Sequence, residues 1–283
     1  MTSAMMRLLD VLERMSPVSV AVSGGVDSMT LASLAHRFPG VSAEVFHAVS
    51  PAVPPEATER VRRHAENEGW TLHVLDAGEF SDDDYVRNPV DRCYFCKKNL
   101  YSAIAPLTTS TIVSGTNTDD LGEYRPGLIA SGNLGVRHPY VEADMDKSSV
   151  RALASELGLT ELAELPAAPC LSSRIETGIP IAAETLTMVN RVEVALKEEL
   201  SPQSLRCRVR AEGIVIELDR ATLEQLSGTA AADVRATVSK IWVGSEGGQS
   251  TPPPIRLAPY VNGSAFLHST SAFSSRTMPV NRR

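Results

Sequence analysis

The sequence predicts an α/β protein: a parallel sheet wound from strand–helix–strand units, followed by a smaller α+β unit. Three observations carry this. Short apolar runs alternate with stretches of helical period from Val18 to Ser114, the signature of βαβ units. The pattern changes after Ser148, where a helix, a Pro/Ala stretch, a long amphipathic helix and a hairpin signal follow in turn. The chain has 283 residues, 43% hydrophobic and 22% charged, which suits two domains at about 150 residues each.

The N-terminal stretch sets Arg7, Asp10, Glu13 and Arg14 among apolar residues, so it reads as an amphipathic helix rather than a signal peptide. Residues 18–22 (VSVAV) follow Pro17 and read as a buried parallel strand. A helix from Ser28 to about Arg37 comes next, then a strand at 43–49 and a charged helix at 55–68. Residues 71–76 predict a third strand, and an Asp-rich loop runs on to Asn88 and Pro89. Residues 94–107 predict a helix and 111–114 a fourth strand, with right-handed crossovers. Beyond Ser148 the sequence predicts helices at 148–157 and 182–199, with LPAAPC as a hinge between them. Residues 206–210 and 214–218 predict a hairpin around Glu212 and Gly213, 221–239 a mostly helical stretch, and 241–243 a last short strand. From Glu246 the chain is rich in Ser, Thr and Pro and reads as a flexible tail. The expected division is 1–165, 166–245 and the tail 246–283.

The formal net charge is −7, which disfavours a nucleic-acid coat protein, since phosphate binding needs a basic surface. No apolar run is long enough to cross a bilayer, and the expected location is the cytoplasm. Four cysteines in a reducing compartment point to metal binding or catalysis rather than disulfides.

Ser23-Gly24-Gly25-Val26-Asp27-Ser28 lies between a predicted strand and a predicted helix. Two glycines let backbone N–H groups approach an anion, and a helix N-terminus adds its dipole. Ser23 and Ser28 supply hydroxyls, and Asp27 can hold magnesium beside phosphates. The plainer reading is a tight turn with Asp27 or Ser28 as N-cap. Ser114-Gly115-Thr116-Asn117-Thr118-Asp119-Asp120 follows the fourth strand, where open α/β sheets bind ligands. Asp119, Asp120 and Glu123 are further magnesium candidates, and Arg125 is a phosphate candidate. Cys93 and Cys96 form C-x-x-C within RCYFCKKNLY, a redox pair or half of a metal or cluster site. Arg92, Lys97 and Lys98 beside them are expected to favour thiolates. Cys170, in PAAPCLSSR, is a candidate thiolate nucleophile, with Ser172, Ser173 and Arg174 as anion donors. Arg206 and Arg208 flank Cys207 on one strand face, an arrangement that suits a phosphate or a solvated surface. Cys207 is expected to be structural.

SGGVDS resembles the SGGxDS signature of the PP-loop ATP pyrophosphatases (adenine nucleotide alpha hydrolase-like). This implies a flat parallel sheet with helices on both faces and ATP cleaved between its α and β phosphates, the loop holding pyrophosphate. NPVDRCYFCKKNLY, SGTNTDDLGEYRPGL, PAAPCLSSRI and LRCRVR, in that order, resemble the LarE family of sulfur transferases, over about residues 5–244. The resemblance implies a pyridinium-3,5-biscarboxylate mononucleotide as substrate, adenylated by ATP on one carboxylate and converted to a thiocarboxylate for a nickel-pincer cofactor. It implies ATP at Ser23, Gly24, Gly25, Asp27, Ser28, Gly115, Thr116, Asp120 and Arg125, with magnesium on Asp27. It implies the substrate phosphate at Ser172, Arg174, Arg206 and Arg208, and Cys170 as the catalytic thiol. One branch of the family gives up the sulfur of its own cysteine. Another holds a [4Fe-4S] cluster on three cysteines, and Cys93, Cys96 and Cys170 follow that pattern. A homo-oligomer is implied, with no nucleic acid or membrane partner. Ala163-Glu164-Leu165 stands where the family carries an acidic–Lys pair.

Three other readings compete. A tRNA thiolase of the same superfamily needs a basic or aromatic RNA-binding surface, which the charge disfavours. An amide-forming ligase of the NAD synthetase type leaves the three cysteines without a role. A nucleotide- or metal-binding protein without catalysis releases no pyrophosphate.

Overall fold

The computed structural model describes residues 2–122, 125–167, 169–226, 228–244 and 252–265. The chain divides into two units, one of residues up to 87, 91–172 and 181–190, the other of 88–90, 173–180 and 191 onward.

The first unit is built on four parallel strands, β1 (Val18–Val22), β2 (Ala43–Ala48), β3 (Leu72–Leu75) and β4 (Thr111–Ser114), in the order β3-β2-β1-β4. β1 is buried along its whole length, as a strand covered on both faces must be. Its side chains alternate between two cores. Val18, Val20 and Val22 pack with the helices Ser3–Met15, Val26–Arg37, Pro55–Glu68 and Lys147–Glu156. Ala21 packs on the other face with Phe46 and with Tyr101 and Ile104 of the helix Arg92–Ile104. Helices therefore flank both faces, as the resemblance implies. The helix Pro55–Glu68 matches its predicted bounds because Pro sits in its first turn and Gly69 closes it at φ 71.

The strand order positions the site. The chain steps from β1 outward to β2 and β3, then returns to lay β4 on the opposite side of β1. Such a reversal opens a crevice at the carboxyl ends of the two neighbouring strands. Ala21 lies level with Ser114, so SGGVDS and SGTNTDD leave the sheet side by side.

The second unit holds β5 (Leu205–Arg210) and β6 (Gly213–Leu218), the predicted antiparallel hairpin, and β7 (Ile255–Pro259), which pairs parallel to β6. β7 falls within the stretch expected to be a flexible tail; residues 246–251 and 266–283 lie outside the described residues. Residues 241–243, expected as a strand, instead end the helix Thr229–Val243. Its buried row Val234, Val238 and Trp242 recurs every fourth residue, and that period carries the short apolar triplet with it. No helix among the described residues is long and apolar enough to cross a membrane.

Candidate active site

The phosphate-loop candidates meet at the β1/β4 crevice. Gly24 holds φ 80, and a Cβ there would stand 2.7 Å from the Ala57 carbonyl oxygen, so only glycine fits. The Arg60 guanidinium donates to the Gly24 carbonyl at 2.8 Å. The helix Val26–Arg37 starts from Gly25 with no side-chain cap, which leaves its first amides directed at the crevice as an anion site. Ser28 Oγ accepts from the Ser23 amide at 3.0 Å and lies 3.3 Å from Ser23 Oγ. Gly115 brings the second loop onto this helix start: a Cβ on it would lie 2.7 Å from Ser28 N and 2.9 Å from Asp27 C. Thr116 Oγ1 is 3.1 Å from Ser114 Oγ, which is 2.8 Å from His138 Nδ1. Burial holds the His138 imidazole below its ordinary value.

Asp27 is held on three sides. Lys147 Nζ forms an ion pair with its carboxylate, Asn117 Nδ2 donates to Oδ1 at 3.2 Å, and Tyr140 OH donates to its backbone carbonyl at 3.0 Å. Asp120 accepts from the Asn117 amide at 3.0 Å and pairs with Arg125 at 2.9 Å. Asp119 accepts from the Lys147 amide, while Glu123 lies outside the described residues. Sequence reasoning did not single out Lys147, Tyr140 or His138. For Lys147 a signal existed: it sits in the first turn of a helix capped by Asp146, where a cation opposes the dipole and so calls for a partner elsewhere.

All three cysteines of the expected cluster belong to this unit. Cys93 and Cys96 lie in the first turns of the helix Arg92–Ile104, three residues apart and therefore on one face. Cys170 precedes the 3-10 turn Leu171–Arg174. Its loop is fixed by Leu171 N donating to Ala52 O at 2.9 Å, by Ser172 Oγ against Tyr85 OH at 2.6 Å, and by Arg92 donating to Ser172 O at 3.0 Å. Ser172 is fully buried by these contacts. A charge on Cys170 acts on both of the other thiols. Burial raises the Cys93 thiol, and a charge on Cys170 raises it further. The Cys96 thiol is pushed up to about 12, first by burial and then by Cys170, Glu79 and Cys93, against an opposing pull from Lys97. The neighbouring cations therefore do not win, contrary to the expectation that Arg92 and Lys97 favour thiolates, because desolvation outweighs them. The Lys97 ammonium is stabilised by Tyr101, 5.7 Å from its ring centroid, and then by the cysteines.

No three His, Cys, Asp or Glu side chains among the described residues converge on a single ion. The charge on Cys170 nevertheless acts on Cys93 and Cys96, and a cluster, unlike a single ion, meets each thiolate at its own iron. Buried thiols that resist ionising alone are kept as thiolates once a metal supplies the positive charge.

In the second unit Arg174 grips Glu193 with both arms of its fork, at 2.9 and 2.8 Å. Arg208 donates to Glu217 at 3.0 Å and to Ser173 O at 2.9 Å. Both guanidinium groups are almost wholly buried. Arg206 is less buried and lies over the Tyr260 ring, 5.6 Å from its centroid. The structure thus gathers the three arginines, with Arg174 and Arg208 paired to Glu193 and Glu217. Cys207 is fully buried, its amide donating to Glu193 at 2.8 Å. Arg208→Met is expected to lower stability by about 3 kcal/mol, because removing one partner of a buried pair leaves the other charge uncompensated. Chemical denaturation checks this, and an unchanged midpoint would show that the pair contributes nothing to the fold.

No family model matches the chain. It is 36% identical over 210 residues to an uncharacterized protein of Synechocystis, covering 73% of this chain and 78% of that one. It is 31% identical over 223 residues to the pyridinium-3,5-bisthiocarboxylic acid mononucleotide synthase of Lactiplantibacillus plantarum, covering 76% and 79%. It is 26% identical over 206 residues to an uncharacterized protein of Methanocaldococcus jannaschii, covering 71% and 77%.

Proposed function

The chain belongs to the LarE family of sulfur transferases, and from that premise we propose that it uses ATP to turn a carboxylate of pyridinium-3,5-biscarboxylate mononucleotide into a thiocarboxylate. The named relative makes a bisthiocarboxylic acid mononucleotide, which is the product class this reading requires.

The β1/β4 crevice supports the activation half. Amides of Gly24, Gly25 and the helix start, with the Ser23 and Ser28 hydroxyls, hold the β- and γ-phosphates. Asp27 would hold magnesium, which neutralises phosphate charge, and Asp120 keeps Arg125 at the same loop. A substrate carboxylate oxygen attacks the α-phosphorus, the bond to the β-phosphate oxygen breaks, and pyrophosphate leaves. An acyl adenylate remains, whose acyl carbon accepts a sulfur nucleophile as AMP departs. Lys147 screens Asp27 until the nucleotide arrives.

Cys93, Cys96 and Cys170 would hold a [4Fe-4S] cluster, which supplies an iron able to carry the transferred sulfide. The placing of Cys93 and Cys96 on one helix face, with Cys170 near enough for its charge to act on both, supports this part of the reading. Tyr85 and Arg92 position Cys170 through Ser172. Within the second unit Arg206 is the candidate for a phosphate group, and Arg174 and Arg208 stiffen the strand and loop around it.

Iron and acid-labile sulfide on anaerobically purified protein test the proposal. About four irons per chain are expected, lost in both Cys93→Ser and Cys170→Ser. No iron after anaerobic reconstitution would sink the cluster and leave the Cys170 sulfur itself as the donated atom, with dehydroalanine at that position after one turnover.

A further inference from the structure

The loop SGGVDS contains one peptide that its two glycines leave free to turn. Rotating the Gly24–Gly25 peptide changes only ψ of Gly24 and φ of Gly25, and glycine tolerates either sign of φ. The peptide is trans, so its carbonyl and its N–H point in opposite directions. In one orientation the loop offers an amide to the crevice, in the other a carbonyl oxygen. The first attracts a phosphate and the second repels it.

A cation on a neighbouring helix decides between the two. Arg60 is half-buried on the helix Pro55–Glu68 and donates from Nη1 to the Gly24 carbonyl at 2.8 Å. Among the described residues its guanidinium makes no other hydrogen bond or ion pair. Burial weighs against its charge, and Glu56 and Arg63 of the same helix act on it with opposite signs, yet arginine stays protonated. The helix that bears it follows β2, which lies on the side of β1 away from β4. A carbonyl held towards that helix leaves the Gly25 N–H directed towards the β1/β4 crevice. That amide donates to nothing among the described residues.

The rest of the loop already has its footing on the same helix. Gly24 presses against Ala57, one turn before Arg60 and on the same face. His47 donates from Nδ1 to the Val22 carbonyl at 3.0 Å, and its Nε2 meets Thr58 Oγ1 at 2.9 Å. The direction of the Gly24–Gly25 peptide is what remains for Arg60 to settle.

We propose that Arg60 is a positioning residue of the activation step: it holds the Gly24 carbonyl out of the crevice, so that the Gly25 amide faces the β- and γ-phosphates. This rests on the reading of SGGVDS as a phosphate loop. Arg60 acts through the peptide and does not itself touch the nucleotide.

Calorimetry with magnesium and ATP, pyrophosphate or AMP tests this on wild type, Arg60→Met and Arg60→Lys. Loss of a hydrogen bond from a charged donor is expected to weaken ATP and pyrophosphate binding about tenfold in Arg60→Met. AMP lacks both outer phosphates and should bind as before. Arg60→Lys keeps a charged donor and should fall between the two. Gly25→Ala supplies a second arm. The φ of Gly25 is −87, and a Cβ there would meet Ser23 Oγ at an ordinary 3.6 Å. A turned peptide would need a positive φ at that residue, which alanine avoids. In the Gly25→Ala background Arg60→Met should therefore cost little or nothing. Wild-type affinity for pyrophosphate in Arg60→Met overturns the proposal. So does an equal loss for AMP, which marks a damaged fold. So does an undiminished loss in the Gly25→Ala background, which marks direct contact with phosphate. A wild type that binds neither ATP nor pyrophosphate overturns the phosphate reading of the loop, and the role of Arg60 with it.

Discussion

Cys170→Ser is expected to abolish thiocarboxylate formation, by about a thousandfold or more, while ATP-dependent release of pyrophosphate continues. The two halves of the reaction use different groups. Activation draws on the loops after β1 and β4, in which Cys170 has no part. Transfer needs a sulfur at the acyl carbon, and serine supplies neither a sulfur nor a soft ligand for iron. The substitution is nearly isosteric, and the loop keeps its anchors on Ala52, Tyr85 and Arg92. Pyrophosphate release and mass spectrometry of the product check this on one sample. Product formed at the wild-type rate would remove Cys170 from the chemistry. Loss of both activities would show that the loop, rather than the thiol, had been damaged.

The first unit was legible because each strand announces itself locally. VSVAV between Pro17 and the glycines has no other comfortable conformation, and 111–114 matches β4 to the residue. What the sequence did not announce depends on distant contacts. β7 follows three prolines and gains its partner only from β6, some forty residues earlier. Strand parity correctly put Arg206 and Arg208 on one face, but the partner of Arg208 is Glu217, a diagonal neighbour across the hairpin that only the register reveals. Charged neighbours in RCYFCKK read as thiolate-favouring because burial is invisible in the letters, and burial sets the direction.

Gly115→Ala is expected to reduce pyrophosphate release by about a hundredfold, the loss that a misplacement of about 1 Å brings, and to take sulfur transfer down with it. The added methyl would stand 2.7 Å from Ser28 N and 2.9 Å from both Asp27 C and Ser28 Cα. These are backbone atoms of a helix start, not the end of a side chain that can swing away. Neither loop can retreat easily, because each is the direct continuation of a strand and the two strands are hydrogen-bonded neighbours. The strain therefore falls on the crevice, parting the Gly115 loop from the amides that hold phosphate. Gly132→Ala is the control: its Cβ would meet nothing within 4 Å, in a helix, and a neutral or slightly stabilising effect is expected there. Pyrophosphate release assayed with substrate and ATP decides the matter, and a wild-type rate in Gly115→Ala would mean that the phosphates bind elsewhere. The contrast with Cys170→Ser is the sharper test. If activation precedes transfer, damage at Gly115 must silence both products, whereas damage at Cys170 silences only the second.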